Sequence, residues 1–245
     1  MPLRSAILAL SPTIYWPLDD LGTLTATDIS GGGYNGVYIG SPSQGAPGPE
    51  SGTMCIAGVH DAGAQLQTTN PLAGTGPWSM LTWQGCSQFA FSGSQLAVIG
   101  NAVSTGIGTL DYTSEVTYMR NGSAIDGTGF HLTANIWHMV VQTFTSGGTR
   151  EMYVDGVLQD SRSAGTVTAV GSTEHVTARL SEVGLLAHGA FWNRILSAIE
   201  VSGIFAAGPG TPPISALTGR NATDVDVLAL ENKLDTILAS VRRTF

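Results

Sequence analysis

The sequence predicts an all-β fold, a sandwich or jelly roll of antiparallel sheets, followed by a Pro/Gly linker and a C-terminal amphipathic helix. Three observations predict it. Short runs rich in Val, Thr and aromatic residues recur along most of the chain, with Gly or Asn turn signals about every ten residues. The clearest of these, Ile136–Val157, holds two such runs split by Ser146-Gly147-Gly148, and Asp155-Gly156 ends the second. Beyond residue 222 the apolar period changes from 2 to 3.5.

Composition agrees. The chain has 245 residues, 32 of them Gly, and only 11% are charged, which suits many turns between short strands. The hydrophobic share of 42% is ample for a core. A net charge of −8 opposes nucleic-acid binding, which needs a basic footprint. Cys55 and Cys86 allow one disulfide by arithmetic, and two small buried thiols is the plainer reading.

In chain order, residues 1–10 predict a helical turn or a lead-in strand. Arg4 and the short apolar run Ala6–Leu10 are too little for a secretory signal, and no run is long enough to cross a membrane. Tyr15–Leu18 predicts a strand, Asp19-Asp20 a loop, and Ser30–Gly33 a break before a turn and strand at Tyr34–Tyr38. Residues 41–52 hold three Pro and three Gly and predict a surface loop. Met54–Val59 and Ala64–Gln67 are candidate strands. In Trp78–Trp83, Trp78, Met80 and Thr82 fall on one face and Ser79, Leu81 and Trp83 on the other. Phe89–Phe91 and Leu96–Ile99 follow as strands, then a hairpin over Val116–Ile125 that turns at Asn121-Gly122. Asp155-Gly156 suits a type I′ turn, whose two central residues both need positive φ. Further strands are expected near Thr166–Val170, Val176–Leu180 and Leu185–Trp192. Ser197-x-x-Glu200 is a capping box and predicts a helix over Ala198–Phe205.

The division expected is a sandwich over 1–205, a linker over 206–222 and a helix over 223–245. Val227, Leu230, Leu234, Ile237 and Val241 take the a and d positions of a heptad. A helix of this length, about 30 Å, is marginal alone in water, so its stripe should pack on something. It either folds back on its own domain or associates with other copies, and the stiff Pro-rich linker favours association. Leu at one a position, Ile at one d position and the facing acids Asp226 and Glu231 lean away from a parallel dimer toward a homo-oligomer, a trimer.

The Trp137–Val141 run, the Gly turn and Met152-Tyr153-Val154-Asp155-Gly156 together resemble the concanavalin A-like, laminin G-like jelly-roll domains. Tyr15–Asp20 with Ala26-Thr27-Asp28 and Asn35-Gly36 resembles the family's opening strand and turn. Trp78–Trp83 resembles an early core strand, and Phe191–Glu200 the closing strand and short helix. The four pieces occur in the family's order over about residues 10 to 205.

That resemblance implies several expectations. Relatives often hold Ca²⁺ with loop carboxylates and carbonyls, the oxygen ligands calcium prefers, and Asp19, Asp20 and Asp28 are the nearest acids. Sugar sites in such folds use aromatic faces beside polar loop groups, which points to Tyr34, Tyr38, Phe130 and His131. The family also includes glycosidases, which need paired carboxylates about 5 Å apart on one strand. No such pattern occurs here: Glu151 and Asp155 could share a face, but Asp155 belongs to the turn. The five histidines form no metal-binding pair, and His138 reads as a satisfied histidine of the sheet. No enzyme is expected. Domains of this type are common on bacteriophage tails, so the expectation is a virion structural protein. Its sandwich would contact host-surface glycans, and its C-terminal helix would self-associate or bind other virion proteins. The alternatives are a free extracellular carbohydrate-binding module and a capsid decoration or spike without sugar binding.

Overall fold

The computed structural model describes residues 2–40, 42–50, 53–57, 65–69, 71–72, 74–86, 92–101, 105–112, 115–120, 124–133, 135–163, 175–179, 184–210 and 213. The elements run α1 (Leu3–Ala9), β1 (Ile14–Trp16), β2 (Thr25–Ala26), β3 (Gly36–Ile39), β4 (Ser43–Pro47), β5 (Met54–Ala57), β6 (Gln65–Thr69), β7 (Trp78–Cys86) and β8 (Ser92–Asn101). They continue β9 (Thr105–Tyr112), β10 (Glu115–Arg120), β11 (Ala124–His131), β12 (Trp137–Phe144), β13 (Thr149–Val154), β14 (Val157–Ser163), β15 (His175–Arg179), β16 (Gly184–Trp192) and α2 (Ala198–Ala207).

The strands form two antiparallel sheets. The front sheet has the order β14-β13-β12-β7-β16-β5-β4, with β1 also paired to β16. The back sheet has the order β11-β10-β9-β8-β15-β6-β3-β2. This is the sandwich expected from the sequence. Its interior holds Trp16, Leu66, Trp78, Met80, Val140, Phe144, Met152 and Phe191, all buried. Gly36 is glycine because the sheets close tightly there: a Cβ would stand 2.1 Å from Leu66 Cδ1.

The front sheet is buried on its other face as well. Leu81, Trp83, Trp137, Met139, Val141, Tyr153, Leu185 and Trp192 pack under Leu3 and Ile7 of α1 and Val201 and Ile204 of α2. The molecule therefore has three layers, helices on sheet on sheet. That is why every residue of β12 is buried and why Met139, Val140 and Val141 are apolar in succession rather than alternating. All five tryptophans are within 2% of complete burial. Each contributes roughly 1.5–3 kcal/mol or more by removing its ring from water.

Several sequence expectations hold in detail. Asp155 and Gly156 have φ of 51° and 80°, so both central positions of the turn are left-handed. The Ser197 hydroxyl accepts from the Glu200 amide while the Glu200 carboxylate accepts from Ser197 N, which completes the capping box. Others need correction. Residues 43–47 form strand β4 rather than a loop. β4 lies at the edge of the front sheet, where Pro47 costs no ladder bond, and a bulge at Gly45 absorbs the irregularity. Leu18 has φ of 66° and ends the first strand early. β9 and β14 are additional strands and α2 runs on to Ala207, while of the two forms expected for residues 1–10 the helical one is found, over Leu3–Ala9.

The linker does not start free of the sandwich. Gly208 lies against Trp83, where a Cβ would be 2.9 Å from the indole, and Pro213 bridges Ile136. β16 separates the strands that carry Cys55 and Cys86, so their backbones stand about 10 Å apart or more, beyond disulfide reach. The expected strands at Phe89–Phe91 and Thr166–Val170, the Asn121-Gly122 tip, and the heptad residues Val227, Leu230, Leu234, Ile237 and Val241 lie outside the described residues.

Candidate functional site

The loop between β1 and β3 holds the three acids expected to bind metal, and each is engaged by protein donors. Asp28 Oδ1 accepts from Tyr15 N and Ser30 N, and its Oδ2 from Tyr34 N, all at 2.9 Å. Asp20 accepts from Thr27 N, from Thr27 Oγ1 at 2.7 Å and from the Tyr38 hydroxyl at 3.2 Å. Asp19 pairs with Arg4. The three share no donor, and the N–H groups on Asp28 point positive ends at the oxygens a cation would need. These carboxylates shape the loop, as Asx-type turns do. Among the described residues no group of three or more His, Cys, Asp or Glu could hold a metal ion.

The four residues expected to contact sugar fall on opposite edges of the back sheet. Tyr38 is on β3, next to the β2 edge, while Phe130 and His131 end β11, the other edge. Tyr38 is only 5% exposed and packs in the core, so its ring offers no stacking face. Burial and then the nearby Asp20 push its hydroxyl well above the usual phenol range. Tyr34 and Phe130 are partly buried against the same core, and His131 is exposed. Of the four, Tyr34, Phe130 and His131 keep surface for a ligand.

His138 is a satisfied histidine, as expected. Its Nε2 accepts from Thr133 N at 3.1 Å, which leaves Nδ1 to donate to Asp155 Oδ2 at 2.7 Å. Asp155 Oδ1 also accepts from Met139 N at 2.9 Å. An Asp–His pair of this kind orients a general base in hydrolases, but here the nitrogen that would take a proton is occupied by a backbone N–H. The pair fastens the β13–β14 turn to β12.

A second polar cluster was not anticipated from the sequence. β16 bulges between Ala187 and Ala190, so that His188 and Gly189 stand opposite Thr82. At the bulge the neighbour of β16 changes from β5, paired at Leu185 and Leu186, to β1, paired from Gly189 to Phe191. His188 fills this junction with φ of 55° and is 1% exposed. Its Nδ1 lies 2.8 Å from the Tyr15 hydroxyl. Its Nε2 is buried without a hydrogen-bond partner, 3.9 Å from Glu50 Oε2. The Arg4–Asp19 pair stands nearby: Arg4 acts electrostatically on both Tyr15 and His188. Burial, then Arg4, lowers the His188 pKa to about 4, and burial raises the Tyr15 hydroxyl above the usual phenol range. The one sequence signal is a single polar residue, followed by Gly, inside the apolar run Leu185–Trp192.

No family model matches the chain, and no curated protein is similar to it. Solved structures are. The binding domain of botulinum neurotoxin DC in complex with rat synaptotagmin II superposes with a TM-score of 0.62 at 13% identity, over 82% of this chain and 52% of that one. A structure of botulinum neurotoxin type C, described with two ganglioside molecules in cell entry, gives 0.63 at 12% identity, over 83% and 52%. The binding domain of Paraclostridial mosquitocidal protein 1 gives 0.63 at 13% identity, over 81% and 52%. The chain thus spans about half the length of these structures. The likeness establishes the β-sandwich fold.

Proposed function

We propose that this chain is a non-enzymatic binding module whose sandwich recognises a glycan or glycosylated receptor. The observation that carries the proposal is the match, over four fifths of the chain, to toxin structures described as binding domains or by their interaction with gangliosides. Two features of the molecule support it. The histidine best placed for acid–base work is closed by Thr133 N. Among the described residues, both helices lie on the outer face of the front sheet and neither on the back sheet.

The finer reading is a virion surface or tail protein, in which the linker and heptad segment join copies into a homo-oligomer or fix them to other virion proteins. Avidity then compensates weak single sites, as is usual for shallow sugar pockets. The sequence of residues 206–245, not the sandwich, supports this part.

The test is a glycan array carrying sialylated and neutral oligosaccharides, probed with the full chain and with a chain ending after Pro213, which keeps the bridge to Ile136. Binding by both, weaker in the shorter chain, supports the module and its oligomerisation. Tyr34→Ala or His131→Ala should cut retention several-fold if those rims hold the sugar. Failure of both chains to bind any glycan or glycosylated receptor would overturn the proposal. Equal solution masses per chain by light scattering would remove the oligomer from it.

A further inference from the structure

The junction around His188 joins three chain segments, and the N-terminal one is also tied to β16 by bonds from Thr13 N to Phe191 O and from Trp192 Nε1 to Leu10 O. β1 pairs with β16 at only three positions, Ile14–Phe191, Tyr15–Ala190 and Trp16–Gly189. α1 precedes it and has no side-chain cap, with Pro2 at its N-cap. Glu50 arrives on the turn between β4 and β5, whose ends are tied by the bonds from Gly48 N to Thr53 O and from Thr53 N to Glu50 O. His188 fixes the strand end to the bulge twice, once by its backbone N–H, which donates to Pro17 O, and once by its ring, which meets the Tyr15 hydroxyl.

We propose that His188 is the pin of an acid-sensitive latch, and that protonating its imidazole releases the N-terminal strap, α1 and β1, from the front sheet ahead of general unfolding. In the neutral ring the Tyr15 O–H donates to Nδ1, and Nε2–H points toward Glu50. A second proton on the ring turns Nδ1 into a donor. Tyr15 must then accept, and its own O–H loses its acceptor. The new charge is held in a site 1% exposed, with the Arg4 guanidinium near and Glu50 still 3.9 Å away. Among the described residues, the charged and titratable groups that face it are Tyr15 from β1, Arg4 from α1, Asp19 after β1 and Glu50 from the β4–β5 turn. Asp19 favours that charge but is paired to Arg4, and Glu50 at 3.9 Å is within ion-pair range of Nε2 yet too far to hydrogen-bond it. Opening the strap lets water solvate the imidazolium at lower cost.

The sign follows from the depressed pKa. The opened state takes up its proton near the ordinary 6.5, the closed state near 4, so closure weakens as pH falls through that window. For those two values the opening constant rises roughly 20-fold between pH 7 and pH 5.

The test is native-state hydrogen exchange on the full chain at pH 7 and pH 5, read as protection factors. Wild type should lose about 20-fold protection across residues 3–16 while α2 stays unchanged. His188→Asn keeps a side chain that tolerates positive φ but cannot titrate, and its protection should be flat over the same range. Equal loss in both proteins, or none in wild type, overturns the latch. Should the variant fail to fold, NMR titration of the wild-type His188 ring decides. A midpoint far below 6.5, shared by the Ile14 and Tyr15 amides, supports the latch; an ordinary midpoint overturns it.

Discussion

The two helices cover the same sheet face, yet they are fastened by different physics. α2 carries its own capping signals as well as a packed face. Ser197 and Glu200 satisfy its first amides, Arg194 pairs with Glu200 at 2.8 Å, and Phe205 stacks on Trp83 with ring centroids 6.1 Å apart. α1 has no cap, no acid in its first turn and no base in its last. It is held by distant residues instead: Leu3 and Ile7 against the sheet, Arg4 on Asp19, and the Tyr15–His188 contact behind it. A helix that carries its own stop and start signals can be a fixed part of the wall. One that borrows them can open while the rest stays folded.

The largest expected effect removes the floor under both helices. Trp83 is fully buried, stacks on Phe205 and supports Gly208. Trp83→Ala should cost about 3–5 kcal/mol. Urea unfolding should show a lower midpoint, and hydrogen exchange should show both helices losing protection together. If α1 kept its protection, the two would not share one core.

The next effect separates them. Ser197→Ala removes the cap of α2 and should cost about 1 kcal/mol, seen as faster exchange in α2 alone. The pH windows differ too. The hydrogen bonds from Arg194, and then those from Ser197, lower the Glu200 pKa to about 2 from an ordinary 4.5. The cap's ionic contribution is complete above the ordinary value and is lost as pH falls from 4.5 toward 2. α2 should therefore hold through the range in which α1 loosens, and exchange of both helices across pH 7 to 3 would show whether the order is right.

This contrast also explains what could be read from the sequence. The α2 cap and the Asp155-Gly156 turn were legible because a few adjacent residues decide them. The alternation in Trp78–Trp83 was legible because both faces of the strand are apolar: Trp78 and Met80 face the back sheet, Leu81 and Trp83 the helices. α1 was ambiguous, since its seven residues carry no terminal signal. β4 was hidden because Pro and Gly usually mark loops, and only its place at a sheet edge makes them tolerable. An aromatic residue near a turn is a signal blind to whether the ring points inward, as that of Tyr38 does. The His188 cluster was beyond reach because Tyr15 and His188 lie 173 positions apart and meet only through a bulge.

The smallest effect on stability should come from Arg4→Ala, and it isolates the charge on α1 from its packing. The Arg4–Asp19 pair is exposed, with side chains 41% and 35% accessible, so its loss should cost under about 0.5 kcal/mol at pH 7. Its effect on His188 should be larger than its effect on stability. Arg4 opposes a proton on that ring, and removing it also frees Asp19, which favours one. The His188 midpoint should therefore rise toward 6.5 in an NMR titration. As the folded-state value approaches the unfolded one, less stability is lost between pH 7 and pH 5, so the variant should be the less acid-sensitive protein. A variant with unchanged titration would mean that burial alone sets the histidine, and that α1 is held by Leu3 and Ile7 without electrostatic help.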